Sequence, residues 1–234
     1  MKIAVCISGM QRNVHRPIKD IINSIQNAFP DADFYYHTWK GKEIDSSYNI
    51  MTSPEPVLDY HPVYDNIEFT EYWKKYRSKI YNDPRWGQEN FLVKMKHANK
   101  QILAHAFILD NITNYDIIIR TRWDAWFSDK INYRQLVEEA YDKDVPFGFE
   151  TKFVKSKHKI VDTNPIKPVI HKKWFKRIKD YMIIHKPKHF NTKMVYDLHK
   201  KKKLWSGEPG WYQIMSQPFN DHHKTFKNAI WIIR

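Results

Sequence analysis

The chain has 234 residues, 42% of them hydrophobic and 15% aromatic, which is enough apolar surface to offset chain entropy, so wholesale disorder is excluded and a single domain is the expected size class. No apolar run approaches the roughly 18–20 residues that span a bilayer, the apolar opening of MKIAVCISGMQRN is too short for a signal peptide, and the lone Cys6 excludes an intrachain disulfide and a Cys-x-x-Cys zinc site. That cysteine usage points to a reducing, cytoplasmic setting. The net charge is +13, yet residues 151–205 alone carry 17 basic and 3 acidic residues, against 22 and 23 in the other 179. A basic excess confined to one segment reads either as a footprint for an anionic partner (nucleic acid, an acidic glycan, a membrane surface) or as a solvated lysine-rich face.

In chain order, Lys2 to Ser8 (KIAVCIS) reads as a buried parallel strand, broken by the loop from Gly9 to Asn13. Val14, Ile18, Ile21, Ile22, Ile25 and Phe29 then recur at helical spacing, with Asn13 as a cap and Pro17 in the first turn. Asp31 to Trp39 predicts a second strand, and Val57 to Pro62 a short third one, after a polar stretch over 40–56. Helices are expected over Trp73 to Ile80 and Gln88 to Asn111, the latter with an apolar stripe at Phe91, Met95, Ala98, Ile102, Ala106 and Leu109. Tyr115 to Ile119 (YDIII) is the expected central strand, since three isoleucines in a row suit a strand covered on both faces.

Beyond it come a helix near Tyr133 to Tyr141, a strand at Pro146 to Phe149 and a mobile lysine-rich excursion over 151–168. Helices follow over His171 to Ile184, around Thr192 to Lys202 and from Pro209 through Met215, and Ala229 to Ile233 closes as a strand. This alternation predicts an α/β fold, and such sheets bind ligands at the carboxyl ends of their strands.

The string YDIIIRTRWDAWF places Arg120, Arg122 and Asp124 where the central strand leaves the core. Residues two apart on a strand share a side, so the three can converge on one ligand. Arginine forks suit a diphosphate, and a carboxylate suits a divalent metal bridging its oxygens. An internal Arg–Asp ion pair ending the strand is the other reading of the same residues.

The pattern Ile-x-Arg-x-Arg-x-Asp after a buried strand, the strand-loop CISGMQRN and the strand ending FYYHTW together resemble the small glycosyltransferase-like proteins of bacteria and phages that have a GT-A, nucleotide-diphospho-sugar transferase fold. The resemblance covers most of residues 1–150, with a weaker echo in GEPGWYQIM at 207–215. It implies one GT-A-like domain with a Rossmann-like, mostly parallel sheet flanked by helices, residues 1–130 forming a nucleotide-binding half and 131–234 an acceptor half. Ser8, Gly9 and Arg12 would line the nucleotide pocket, with His37 nearby and Arg120 and Arg122 on the diphosphate.

Asp124 would take the place of the last acid of an Asp-x-Asp metal motif, holding a divalent cation (manganese or magnesium). The residue two places earlier is Arg122 instead of an acid, so the arginines are themselves candidates to neutralise the leaving diphosphate. Glu208, before Pro209 at a helix start, is the candidate base for the acceptor hydroxyl, its other role being a helix-terminal cap. His222, beside Asp221 and His223, is a candidate metal ligand, and Trp205, Trp211 and Tyr212 are candidate acceptor-stacking rings or else core.

The leading expectation is a glycosyltransferase that moves a sugar from a nucleotide-diphospho-sugar donor to a glycan or other anionic acceptor, with peripheral membrane contact and no nucleic acid. The alternatives are a nucleic-acid-binding or nucleic-acid-modifying protein that uses 151–205, against which stands the absence of a helix-turn-helix, zinc or RNP pattern, and a noncatalytic nucleotide- or sugar-binding module.

Overall fold

The computed structural model describes residues 1–9, 17–43, 47–58, 88–129, 131–154, 167–168, 181–201, 211, 214–215 and 224–233. Strand β1 (Ile3–Ile7) is followed by helix α1 (Ile18–Ala28), β2 (Asp33–Trp39), β3 (Ile50–Ser53), α2 (Gln88–Asp110) and β4 (Ile117–Thr121). These four strands lie in the order β3-β2-β1-β4 and every pairing among them is parallel. The chain therefore leaves β1 toward β2 on one side and comes back through β4 on the other, so β1 and β4 flank a topological switch point, the place where open α/β sheets leave a crevice.

The two faces of this half are set by alternation along its strands. Val5, Ile7, Ile117 and Ile119 pack with Ile21, Ile22 and Ile25 of α1, while Ala4, Cys6 and Ile118 pack with Ile108 and Ile112 at the end of α2 and just beyond it. Both faces are dry, and full burial of each such side chain is worth about 1.5–3 kcal/mol. Burial also pushes the Cys6 thiol well above its ordinary range, so it packs as a small apolar group.

The sheet continues past β4 in mixed sense. β5 (Ala125–Phe127), α3 (Tyr133–Lys143), β6 (Phe147–Val154), β7 (Lys167–Pro168), β8 (Met182–His185), α4 (Thr192–Lys200) and β9 (Lys224–Ile233) follow in the chain, and the spatial order runs β4-β8-β6-β9-β5 with β7 also on β9. Strand β8 is antiparallel to both β4 and β6, β6 and β9 run parallel, and β5 and β7 are antiparallel to β9. Asn132 caps α3 by accepting the Gln135 N–H at 3.1 Å, and Asn191 caps α4 through the Met194 N–H at 2.9 Å. Tyr133, Leu136 and Val137 of α3 join the α1 face. Ile102 and Ala106 of α2 meet Ile183, Phe190, Val195 and Trp211 on the other face. Among the described residues no helix is long and apolar enough to cross a membrane.

The Rossmann-like α/β architecture expected from the sequence is the one observed, parallel where the crevice lies. Four local expectations change. The third parallel strand is Ile50–Ser53, inside the stretch read as polar, whereas Val57 and Leu58 are not in a strand and 59–62 lie outside the described residues. Thr151 to Val154 extends β6 instead of opening a mobile excursion, because the backbone there finds a partner in β9. Met182 to His185, read as the end of a helix, is a strand: MIIH is inserted between β4 and β6 with every side chain buried. The closing strand starts at Lys224, five residues before the apolar run. The helix expected over 73–80 lies outside the described residues.

Candidate active site

The carboxyl ends of β1 and β4 open into a cleft. From β1 come Ser8 and Gly9, and from the end of β2 comes Trp39; the chain leaving β4 supplies Arg122, Trp123 and Asp124. The fourth wall is α2, through His97, Lys100 and Gln101. The Ser8 N–H donates to the Thr121 carbonyl at 3.2 Å, tying the two strand ends together. Gly9 then turns the chain at φ 110°, in the left-handed region that favours glycine; a Cβ there would meet the Cγ of Gln101 at 3.8 Å, an ordinary contact, so the backbone angle and not space asks for glycine.

Alternation stops at Thr121. The Ala125 N–H donates to the Arg122 carbonyl at 3.2 Å, closing a turn over Arg122 to Ala125, and this separates the two arginines. Arg120, still on the strand, points to the α2 face and is fully buried. Its Nη2 donates to Gln101 Oε1 at 2.6 Å and its guanidinium lies 4.9 Å from the Trp211 ring centroid. Arg122, on the turn, folds back onto Asp124 in a two-pronged fork: Nε to Oδ1 and Nη2 to Oδ2, each 2.8 Å. Its guanidinium stands 5.2 Å from the Tyr181 ring centroid. The pair is nearly dry, with side-chain exposures of 10% and 3%. The ion-pair reading of this cluster is thus realised, but at the wall of a cleft, and Arg120 stands behind that wall, bonded to the lining residue Gln101.

Arg122 and Lys100 both line the cleft, and each is paired with a carboxylate. Lys100, on the α2 wall, pairs with Glu55 at 2.5 Å, both partners being partly exposed. The hydroxyl of Ser8 is buried and has no hydrogen-bond partner among the described residues. Trp123 donates its Nε1–H to the His37 carbonyl at 3.0 Å, which fixes that wall to β2.

Compared with solved structures, the chain aligns over 99% of its length with 88% of a Bacillus anthracis protein described as a glucose-1-phosphate thymidylyltransferase, in complex with a sucrose, at 10% identity and a TM-score of 0.49. It aligns over its full length with 59% of S. aureus TarS 1–349 in complex with UDP-GlcNAc, at 8% identity and 0.46. It aligns over 91% with 69% of the galactosyltransferase LgtC in complex with donor and acceptor sugar analogues, at 8% identity and 0.41. No protein-family model and no curated protein matches the sequence.

Among the other residues singled out from sequence, His37 does not line the cleft. It is buried between β3 and α2, with Nε2 2.9 Å from Ser53 Oγ and its ring packed on Trp39 and Phe107, and burial lowers its pKa to about 4. Trp211 is fully buried against Ile102, Ile183 and Phe190; a ring with no exposed face cannot stack on an acceptor, so its role is core. Arg12, Trp205, Glu208, Tyr212 and His222 lie outside the described residues.

Three lining residues went unread in the sequence: His97, Lys100 and Gln101. They sit at i, i+3 and i+4 on α2, and that spacing puts them on one face. A polar triplet at helical spacing, breaking into the apolar stripe of a long helix, was the available signal.

Among the described residues that line the cleft, Asp124 is the one carboxylate. Asp124 has both carboxylate oxygens engaged by Arg122, and among the described residues no group of three His, Cys, Asp or Glu is placed to hold a metal ion.

Proposed function

We propose that this protein is a glycosyltransferase that binds a nucleotide-diphospho-sugar with its diphosphate in the cleft between the ends of β1 and β4, and passes the sugar to a glycan or other anionic acceptor. The observation that carries this reading is the buried Ser8 hydroxyl, unpartnered among the described residues, at a switch-point crevice that also presents Arg122 and Lys100. A buried hydroxyl left without a partner costs about 1–3 kcal/mol, and a phosphate oxygen is an acceptor it could meet on binding. Residues 1–130 would serve the donor, and 131–234 the acceptor.

In the transfer, the bond from the sugar C1 to the diphosphate oxygen breaks with its electron pair leaving on the nucleoside diphosphate. The acceptor oxygen bonds C1, and the acceptor proton passes to a general base. Cationic N–H groups at the cleft stabilise the charge that grows on the departing diphosphate. In an inverting reaction Glu208 is the proposed base. The lysines of 151–205 would draw an anionic acceptor or the surface of a membrane carrying it.

The test is a thermal-shift panel of UDP-, GDP-, CDP- and ADP-sugars set against single-stranded and duplex oligonucleotides. Stabilisation by one nucleotide-sugar class is the expected result, about 2.7 kcal/mol at a hundredfold excess over Kd. Stabilisation by oligonucleotides alone would replace this reading with a nucleic-acid one.

A further inference from the structure

We propose that Arg122, clamped by Asp124, stands at this site in the place of a divalent cation, so that donor binding is independent of metal and Asp124 is a positioning residue. The inference rests on the donor reading above and specifies how the diphosphate is neutralised.

Three observations converge on it. The fork from Arg122 to Asp124 engages both carboxylate oxygens at 2.8 Å, so a metal would have to share a carboxylate whose charge is already matched by a guanidinium in contact with it. A cation there would also sit against that positive charge in a nearly dry wall, where repulsion is least screened. Finally, the guanidinium is held in two directions at once, by Asp124 along one edge and by the Tyr181 ring at 5.2 Å.

Such a group is a preorganised cation. A guanidinium is a planar array of N–H groups, oriented here by the fork to Asp124, and such an array matches phosphate oxygens in a way a lysine does not. Lys100, on the α2 wall of the same cleft and paired with Glu55, is a second cation there. What the carboxylate then contributes is orientation: it fixes the plane in which Arg122 meets its ligand.

Isothermal titration of the full chain with UDP, GDP, CDP and ADP, and with the corresponding nucleosides, tests this in EDTA and again in excess Mn²⁺ or Mg²⁺. The nucleoside diphosphate that binds is expected to show the same Kd in both buffers, within about threefold. Arg122→Ala should weaken it by about tenfold or more in both, since a hydrogen bond to a charged group is worth about that factor, and leave the nucleoside unchanged. Asp124→Asn should weaken it in both buffers by a smaller factor, about three- to tenfold, because the guanidinium remains but its orientation loosens.

Binding more than tenfold tighter in Mn²⁺, with that gain lost in Asp124→Asn, would make Asp124 a metal ligand and overturn the inference while leaving the donor reading in place. No binding of any diphosphate in either buffer would overturn the donor reading itself, and the inference with it. The EDTA comparison on the unsubstituted protein decides even where a variant fails to fold.

Discussion

Ser8 closes β1 with a hydroxyl that the fold itself leaves unanswered among the described residues. A group kept for a ligand and a group kept for the fold respond oppositely to deletion. Ser8→Ala removes an unsatisfied buried polar atom, so the free protein is expected to keep its melting temperature or gain slightly. Its affinity for the donor should fall by roughly two- to tenfold, the worth of one neutral hydrogen bond. Calorimetric melting and titration of the same preparation check both halves, and a large stability loss with unaltered binding would return Ser8 to the fold. At this scale the sequence showed where chemistry sits but not how it is arranged. Arg122 and Asp124 were legible as a polar cluster at a strand end. That they grip each other was one of two readings of the sequence; that Arg122 is the arginine that does so, while Arg120 turns away to Gln101, follows from a turn that begins one residue after the strand stops, and no residue type announces that turn.

On α2 one helix serves two solvents. Its Ile102 and Ala106 are buried against the sheet side, while His97, Lys100 and Gln101 line the cleft. Lys100→Ala should separate these duties. The Lys100–Glu55 pair is partly exposed, and such pairs contribute about 0–1 kcal/mol, so urea denaturation should move little. Diphosphate affinity should fall by more, about 1.5–3 kcal/mol for a charge-assisted contact, and an unchanged affinity would take Lys100 out of the donor site. Elements of this length are easy to read, because six apolar positions recur at one spacing. Strand β8 was not: Tyr181 and Met182 continue a helical spacing begun at Trp174, and four buried residues give no period of their own. Only the two strands waiting on either side decide the matter.

At the scale of the whole molecule, three imidazoles, His37, His105 and His185, are sealed against the sheet. His185 Nδ1 lies 2.8 Å from the Lys186 carbonyl, an acceptor, so that nitrogen carries the proton; His185 Nε2 therefore accepts from His105 Nε2 at 3.0 Å. Burial holds His185 down to about 3 and His37 to about 4, and keeps His105 well below the ordinary 6.5. The unfolded chain thus binds more protons than the folded one as pH drops below 6.5, and stability falls with acidity until the folded pKa values are reached. Thermal melts between pH 7.5 and 5 should show stability constant at the upper end and declining below about 6.5, at a limit of about 1.4 kcal/mol per pH unit for each histidine; a flat profile would mean that these rings are not sealed. A different asymmetry runs along the chain in time. The strands β3-β2-β1-β4 are complete by Thr121, whereas β5, β6 and β7 all take β9 as a neighbour, and β9 begins at Lys224. During synthesis, the parallel half can close its own hydrogen bonds early, while three later strands hold open edges until β9 emerges. The residues that line the cleft all precede β5, in the part of the chain that does not wait.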